Sequence, residues 1–244
     1  MDRKRTTFTA LLAAALLVAV ATGCMFVGRT GPLQTESQTV ELEGAEAVTV
    51  NLRMGAGELT VSGGGDALME ADLSYNVAEW EPIVDYSVSG GQGDLTVRQP
   101  DADIQNLAID DYQYEWDLSF AENVPLEMAI DVGAGRSSLN VADLALTSLT
   151  VNAGAGDTTL DLAGSDWPDG LDVTMRGGVG RATVYLPSDV SVRADVTGGI
   201  GQVNATGLAR EGDAYVNEAY DGGEATVSLD IEGGVGEINL EVVE

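Results

Sequence analysis

Apolar and polar side chains alternate along most of the chain, and each alternating run leads to a Gly-x-Gly triplet. The residues three, five and seven positions before the first glycine of a triplet are apolar in every run, with the exception of Thr147. The residues between them are polar, with the exception of Ala129. Because successive side chains of a strand point to opposite faces, this pattern predicts seven β-strands that each bury one face.

A second short strand is predicted after each triplet. Its apolar residues, such as Leu59 and Val61, lie at even distances from the first glycine, whereas those of the preceding strand lie at odd distances. A one-residue shift turns side chains to the other face unless the backbone bends or bulges, and glycine permits the positive φ angle of such a bend. We therefore predict a repeating unit of strand, glycine corner and strand. The triplet Gly91/Gly93 fits this pattern, and the structural glycines of the other six corners are Gly55, Gly57, Gly133, Gly135, Gly154, Gly156, Gly178, Gly180, Gly199, Gly201, Gly234 and Gly236.

The spacing of the triplets favours a stacked architecture. From residue 133 to 201 the triplets follow one another at intervals close to one coil of a β-solenoid, about 21 residues. An all-β fold is therefore predicted: a β-solenoid-like stack of short strands over residues 126–244, after an N-terminal β module with insertions over residues 45–125. The alternative is a β-sandwich of hairpins, in which each triplet is a hairpin turn. Residues 24–44 show no regular pattern and are predicted to form a flexible tether.

The insertion at residues 98–125 is rich in aromatic side chains. Tyr112, Tyr114, Trp116 and Phe120 alternate with polar residues, which predicts a strand with one large apolar face. Such a strand either caps the end of the stacked core or forms a recognition surface of aromatic side chains. Of the exposed parts of the chain, this insertion is the predicted partner contact.

The composition excludes several kinds of chemistry. The chain has no histidine, one cysteine (Cys24) and one lysine (Lys4), so it cannot form a Ser-His-Asp triad, a Cys-His dyad, a His–Cys zinc site or an intrachain disulfide. Its net charge of −29 repels nucleic acid. The triplet Gly55-Ala56-Gly57 leads into another strand and not into a helix, so no dinucleotide site is predicted. Arg136 and Arg181 follow two of the triplets, which argues against a calcium-binding repeat. We predict no metal and no cofactor.

The first 23 residues have the features of a secretion signal. A basic start, Arg3-Lys4-Arg5, precedes an apolar run at residues 8–21 that is shorter than the ~20 residues that span a bilayer. Small residues then precede Cys24, as in a bacterial lipobox, so we predict that Cys24 carries a lipid. Removal of residues 1–23 would change the net charge to −31. A surface kept soluble by self-repulsion, life in high salt and calcium binding remain three explanations of this charge.

The segment from Val48 to Ser62, VTVNLRMGAGELTVS, resembles the toast-rack proteins, together with Tyr75-Asn76, the Trp80–Pro82 segment and the Glu115–Leu118 segment. The resemblance covers residues 40–244, and the second half is similar to the repeat domain of membrane-anchored regulators that respond to cell-wall-active antibiotics. It implies a right-handed, coiled β architecture outside the cytoplasm, and a role as a scaffold or sensor in envelope stress. It implies no catalytic residue. Those regulators carry transmembrane helices, whereas this sequence offers a signal and a candidate lipid anchor.

Together these features predict a non-catalytic, lipid-anchored, extracytoplasmic scaffold or sensor partner that contacts an envelope protein or glycan. An adhesin-like structural surface protein is the first alternative. The second is a polysaccharide-active enzyme, because a chain with 40 acidic residues will hold some carboxylate pair at a suitable distance.

Overall fold

The computed structural model describes residues 30–101, 112–164, 167 and 170–243. Strands make up most of these residues, which include no α-helix and one 3₁₀ turn at Ala78–Trp80. The strands form one sheet that does not close, and the predicted all-β, solenoid-like stack is confirmed. The strands are β1 Gln34–Val40, β2 Ala47–Gly63, β3 Met69–Tyr75, β4 Ile83–Ser89, β5 Gln92–Arg98, β6 Tyr114–Phe120, β7 Leu126–Asn140, β8 Leu146–Asp161, β9 Leu171–Pro187, β10 Val192–Thr206, β11 Ala209–Glu211, β12 Ala214–Val216 and β13 Val227–Val243.

Six of these strands are 15 to 17 residues long and run through their triplets without interruption. The predicted corner is therefore a bend inside one strand, not a break between two. In five of the six strands the second glycine has a positive φ, from +130° at Gly156 to +153° at Gly57. In β10 the positive φ is at Gly198 instead. This local distortion accounts for the change of parity seen in the sequence.

The six long strands are parallel and stack in the order β2-β7-β8-β9-β13-β10. The stack does not follow the order of the chain at its C-terminal end, where β13 lies between β9 and β10. The hairpin β11–β12 follows β10 and pairs with the outer edge of its Arg193–Asp195 segment. The inner edge of β10 is then the one left for β13.

The N-terminal end of the stack is covered by shorter strands. The first half of β2 pairs with β5 and its second half pairs with β6. Strand β6 in turn pairs with β3, and β3 pairs with β1. Strands β4 and β5 form an antiparallel hairpin whose turn is Gly90-Gly91, both with positive φ. The triplet Gly91/Gly93 is thus not a corner of the stack, and the hairpin alternative holds at this one place.

Two of the predicted boundaries do not match the structure. Gln34–Val40, assigned to a flexible tether, is strand β1 and pairs with β3 along all seven residues. Its side chains are at most partly buried, because the strand lies near an edge of the sheet and most of them are polar. The boundary predicted at residue 125 does not divide the sheet either, because β2 pairs directly with β7 and one hydrophobic core contains residues of both halves.

Candidate functional site

The triplets of the six long strands lie side by side, and we call this row the glycine ridge. Pairing aligns the second glycines across the sheet, from Gly57 at one end to Gly201 at the other. A Cβ atom placed on Gly156 would collide with the carbonyl oxygen of Gly135, and the same collision recurs at each strand that follows β2 in the stack. The glycines of the ridge therefore allow a close approach of neighbouring backbones.

The N-terminal end of the ridge is closed by a side chain. The Oε1 atom of Gln99 accepts hydrogen bonds from the backbone N–H groups of Gly55 and Ala56, at 2.7 and 3.1 Å. The backbone carbonyl of Tyr114 lies where a Cβ of Gly57 would be. Sequence reasoning missed Gln99, because nothing in its local sequence indicates a contact with residues 43 or 44 positions away.

The middle residue of the triplets changes along the ridge. It is Ala56, Ala134 and Ala155 in β2, β7 and β8, and then Val179, Val235 and Ile200 in β9, β13 and β10. The three larger side chains are cross-strand neighbours and are 59%, 50% and 80% exposed. We call them the apolar patch. A cavity of about 90 Å³ adjoins the patch, and its lining includes Met175, Ala182, Val203 and Ile238.

Charged side chains of alternating sign flank the ridge. The residues just after the triplets read Glu58, Arg136, Asp157, Arg181, Glu237 and Gln202 in the order of the stack. Arg136 lies 3.1 Å from Glu58, and Arg181 lies 3.1 Å from Glu237 and 3.8 Å from Asp157. On the other side of the ridge Arg53 faces Asp131 at 3.9 Å and Arg176 faces Glu232 at 3.1 Å. The arginines thus neutralise acidic neighbours on adjacent strands.

The aromatic side chains predicted as a partner contact are mostly buried. Tyr114, Trp116 and Phe120 are at most 2% exposed, so the contact prediction is wrong for these three. They lie on the buried face of β6, which packs onto the hydrophobic core next to β2. This strand therefore caps the core, as the first of the two interpretations predicted. Tyr112 is half-buried and packs edge-on against Trp80, with ring centroids 5.4 Å apart.

Burial also changes the acidity of nearby phenols. Burial, with the hydrogen bond that the Tyr75 hydroxyl donates to Glu36, raises the pKa of Tyr75 to about 12. Burial raises the pKa of Tyr114 and, with a smaller effect of Glu43, that of Tyr86. These tyrosines keep their protons at neutral pH and serve packing.

Within the described ranges, no three His, Cys, Asp or Glu side chains come together in a way that could hold a metal ion. A groove of about 830 Å³ beside Trp80 mixes arginines with the acidic residues Asp101 and Asp131. Cys24, the predicted lipidation site, lies outside the described residues. None of the helical residues described forms a segment long and apolar enough to cross a membrane.

A stack of parallel strands bent at aligned glycines defines a β scaffold built from repeats. The chain belongs to the toast-rack family: the family model described as "N-terminal domain of toast_rack, DUF2154" matches residues 29–185. A second model, described as "Cell wall-active antibiotics response LiaF, C-terminal", matches residues 134–240 and overlaps the first. The resemblance noted in the sequence is therefore confirmed. The chain matches none of the curated proteins.

A solved structure is closely similar to this chain. It is a candidate cell adhesion protein from Clostridium sporogenes, 33% identical, with a TM-score of 0.83 over 86% of this chain and 100% of that chain. A candidate adhesin from Bacteroides fragilis is 11% identical, with a TM-score of 0.31 over 85% of this chain and 96% of that one. The second similarity is too weak to carry an argument. The LiaF model and the clostridial protein both associate this chain with the cell envelope.

The apolar patch was not predicted from the sequence. The substitution of Ala by Val or Ile in the last three triplets was a visible signal of it. The order of the strands is what makes these residues neighbours, because β13 comes between β9 and β10.

Proposed function

We propose that the protein is a non-catalytic scaffold or sensor partner of the cell envelope, held outside the cytoplasm by a lipid on Cys24. Its activity is the binding of another envelope protein. The apolar patch is the observation that carries this proposal, because three branched aliphatic side chains stand exposed side by side on a strongly acidic chain. Exposed apolar patches commonly mark sites of protein association. The patch also lies within the residues matched by the LiaF model.

A protein partner fits this surface better than a glycan. The exposed side chains of the patch are aliphatic, and three of the four aromatic residues that could have formed a sugar-binding platform are buried. An aliphatic surface gains free energy by excluding water from a complementary apolar surface, which proteins provide.

Capture of the partner in the native envelope tests the patch. Val179→Ser with Val235→Ser should abolish crosslinking to the partner and leave the fold unchanged, because both side chains are exposed. Leu33→Ser is the matched control, since Leu33 is 52% exposed and lies at the opposite end of the sheet. Capture of the same protein by the double variant, or of no protein by the wild type with and without a cell-wall-active antibiotic, would refute the proposal.

The lipid anchor is tested separately. Cys24→Ser should move the protein from the membrane fraction to the soluble fraction, because this is the only cysteine that could be lipidated. An unchanged membrane fraction would contradict the anchor without bearing on the apolar patch.

Adhesion is the second candidate function. The observation in its favour is the 33% identity to a candidate cell adhesion protein over most of the chain. A partner on the surface of another cell, and no partner within the cell's own envelope, would favour adhesion over the scaffold role.

A further inference from the structure

The two ends of the stack are covered to different extents. At the N-terminal end, β6 pairs with Glu58–Gly63 of β2 and the aromatic side chains of β6 close the core. At the C-terminal end, β12 pairs only with Arg193–Asp195 of β10. No described strand pairs with the outer edge of β10 from residue 196 to residue 206. The half of β10 that corresponds to the covered half of β2 thus has an open edge.

The core is open at the same place. The side chain four residues after the first glycine of the triplet is buried at the covered end, where Leu59 is 1% exposed. The equivalent side chain in β7, Ser137, is 3% exposed, whereas Val203 in β10 is 38% exposed. The small apolar cavity beside the patch is lined partly by Val203 and Ile238 and lies at this open end. A further strand paired with the outer edge of β10 would cover this end of the core, as β6 covers the other end.

Apart from the bend at Gly198, the open edge lacks the features that normally keep strand edges apart. Natural edge strands are usually short or carry charges, proline or bulges. Residues 196–206 of β10 contain no charged residue and no proline, in a chain of which 21% is charged. The eleven residues are about twice the length of an average strand. Two copies of a chain with net charge −29 can meet at this edge without placing like charges opposite each other.

We propose that the occupant of this edge is the β10 strand of a second copy, paired antiparallel about a two-fold axis at Ile200. The sequence around this residue is symmetric, with Gly199 and Gly201 on either side. Gly199 then faces Gly201 of the second copy, and Ile200 faces Ile200 of the second copy. Val203 lies opposite Thr197 of the second copy. The pairing is isologous, so it closes after two copies and leaves no open edge to recruit a third.

Disulfide trapping in intact membranes tests the pairing in the full chain. Directly opposite residues of an antiparallel pair have Cβ atoms about 4.5–5.5 Å apart, so Ile200→Cys should form a covalent dimer on mild oxidation. Val235→Cys is the matched control. It is also exposed, by 50% against 80% for Ile200, and lies one strand further in, which puts its counterpart about 14 Å away at three strand spacings. The wild type controls for Cys24.

A charge placed at the proposed two-fold axis provides a second test of the dimer. Ile200→Lys should raise the dissociation constant of the dimer at least about tenfold, because it places two ammonium groups opposite each other. Val179→Lys, two strands away in the stack, should have little effect on the dimer. Light scattering gives the oligomeric state, and thermal unfolding checks that both variants fold.

Each outcome is decisive. A dimer from Ile200→Cys and none from Val235→Cys would support the pairing. A folded Ile200→Cys protein that stays monomeric would overturn it. A crosslink from Ile200→Cys to a different protein would also overturn it and assign the edge to a foreign strand. The partner capture with Val179→Ser and Val235→Ser leaves Ile200 unchanged, so failure of either proposal can be recognised independently of the other.

Discussion

Two different energetic costs restrict the glycines of the ridge: a positive φ angle and the close approach of a neighbouring backbone. The first glycine, for example Gly154, has no positive φ, but an added Cβ would meet the carbonyl oxygen of Gly133. The second glycine, for example Gly156, has a φ of +130° and would also collide with a neighbouring carbonyl. A positive φ is thus found at five of the twelve glycines of the ridge, whereas a neighbouring backbone restricts eleven of them; at Gly55 the nearest atom is the side-chain Oε1 of Gln99.

Four alanine substitutions separate these costs. Gly156→Ala combines φ strain of about 1–3 kcal/mol with a steric clash of similar size, and should lower the free energy of unfolding most. Gly154→Ala brings only the clash. Gly164→Ala brings only the φ strain, because Gly164 has a φ of +106° and no atom lies within 4 Å of an added Cβ. Gly177→Ala brings neither the strain nor the clash. Urea unfolding measures all four. Equal stability of the Gly156 and Gly177 variants would show that the strands do not approach this closely.

The buried tyrosines make stability depend on alkaline pH. A phenol with a raised pKa in the folded state must stay protonated there, so its contribution is complete below the unfolded pKa of about 10 and is lost as pH rises through the folded value. For Tyr75 that value is about 12. The free energy of unfolding should therefore fall between pH 10 and 12, and less steeply in Tyr75→Phe. Identical slopes for the wild type and this variant would contradict the assignment.

At the scale of the strands, the charged side chains of alternating sign beside the glycine ridge form charge ladders. They join strands that are distant in sequence. Arg181 on β9 lies between Asp157 on β8 and Glu237 on β13, so the alternation exists only in the assembled sheet. All three side chains are more than a third exposed. Pairs of this kind are worth at most about 1 kcal/mol each. Their clearer effect is on register, because a shifted strand would place like charges side by side.

Reversal and removal of one charge test this effect. Arg181→Gln should cost about 1 kcal/mol of stability or less, whereas Arg181→Glu should cost more, because a third carboxylate then faces Asp157 and Glu237. Thermal unfolding at low ionic strength measures the difference. The difference should shrink in concentrated salt, which screens exposed charges. Equal losses for the two variants would show that the ladder contributes no charge complementarity.

At the scale of the whole molecule, the ladders are too few to balance the acidic surface. The chain has 40 acidic and 11 basic residues, so carboxylates far outnumber the basic groups that could neutralise them. Like charges distributed over a folded chain destabilise the compact state. This long-range repulsion opposes the local attraction of the ladders.

Salt should therefore stabilise the fold as a whole. Screening weakens both the repulsion and the ion pairs, and the repulsion is the larger of the two at a net charge of −29. The melting temperature should rise from low to about molar sodium chloride. A flat or falling melting temperature would mean that the ladders, and not the net charge, dominate the electrostatic free energy.

The alternation of side chains was sufficient to predict the long strands, their buried faces and the glycines that bend them. These features depend on local backbone geometry, because a period of two and a glycine triplet act within a few residues. The class of fold and the resemblance to the toast-rack family follow from the same local repeats. The aromatic strand was predicted too, but its function was not, since one apolar face suits a cap and a contact surface equally well.

Only the tertiary structure decided which strands are neighbours. The insertion of β13 between β9 and β10 brings Val235 next to Val179 and Ile200, and it leaves the edge of β10 open. The same order turns scattered charges into a ladder of alternating sign. Strand order results from competition between distant segments for one edge, as when the hairpin β11–β12 occupies the outer side of β10. A short-range sequence pattern cannot predict the outcome of that competition, because each long strand of the repeat has nearly the same pattern of buried residues.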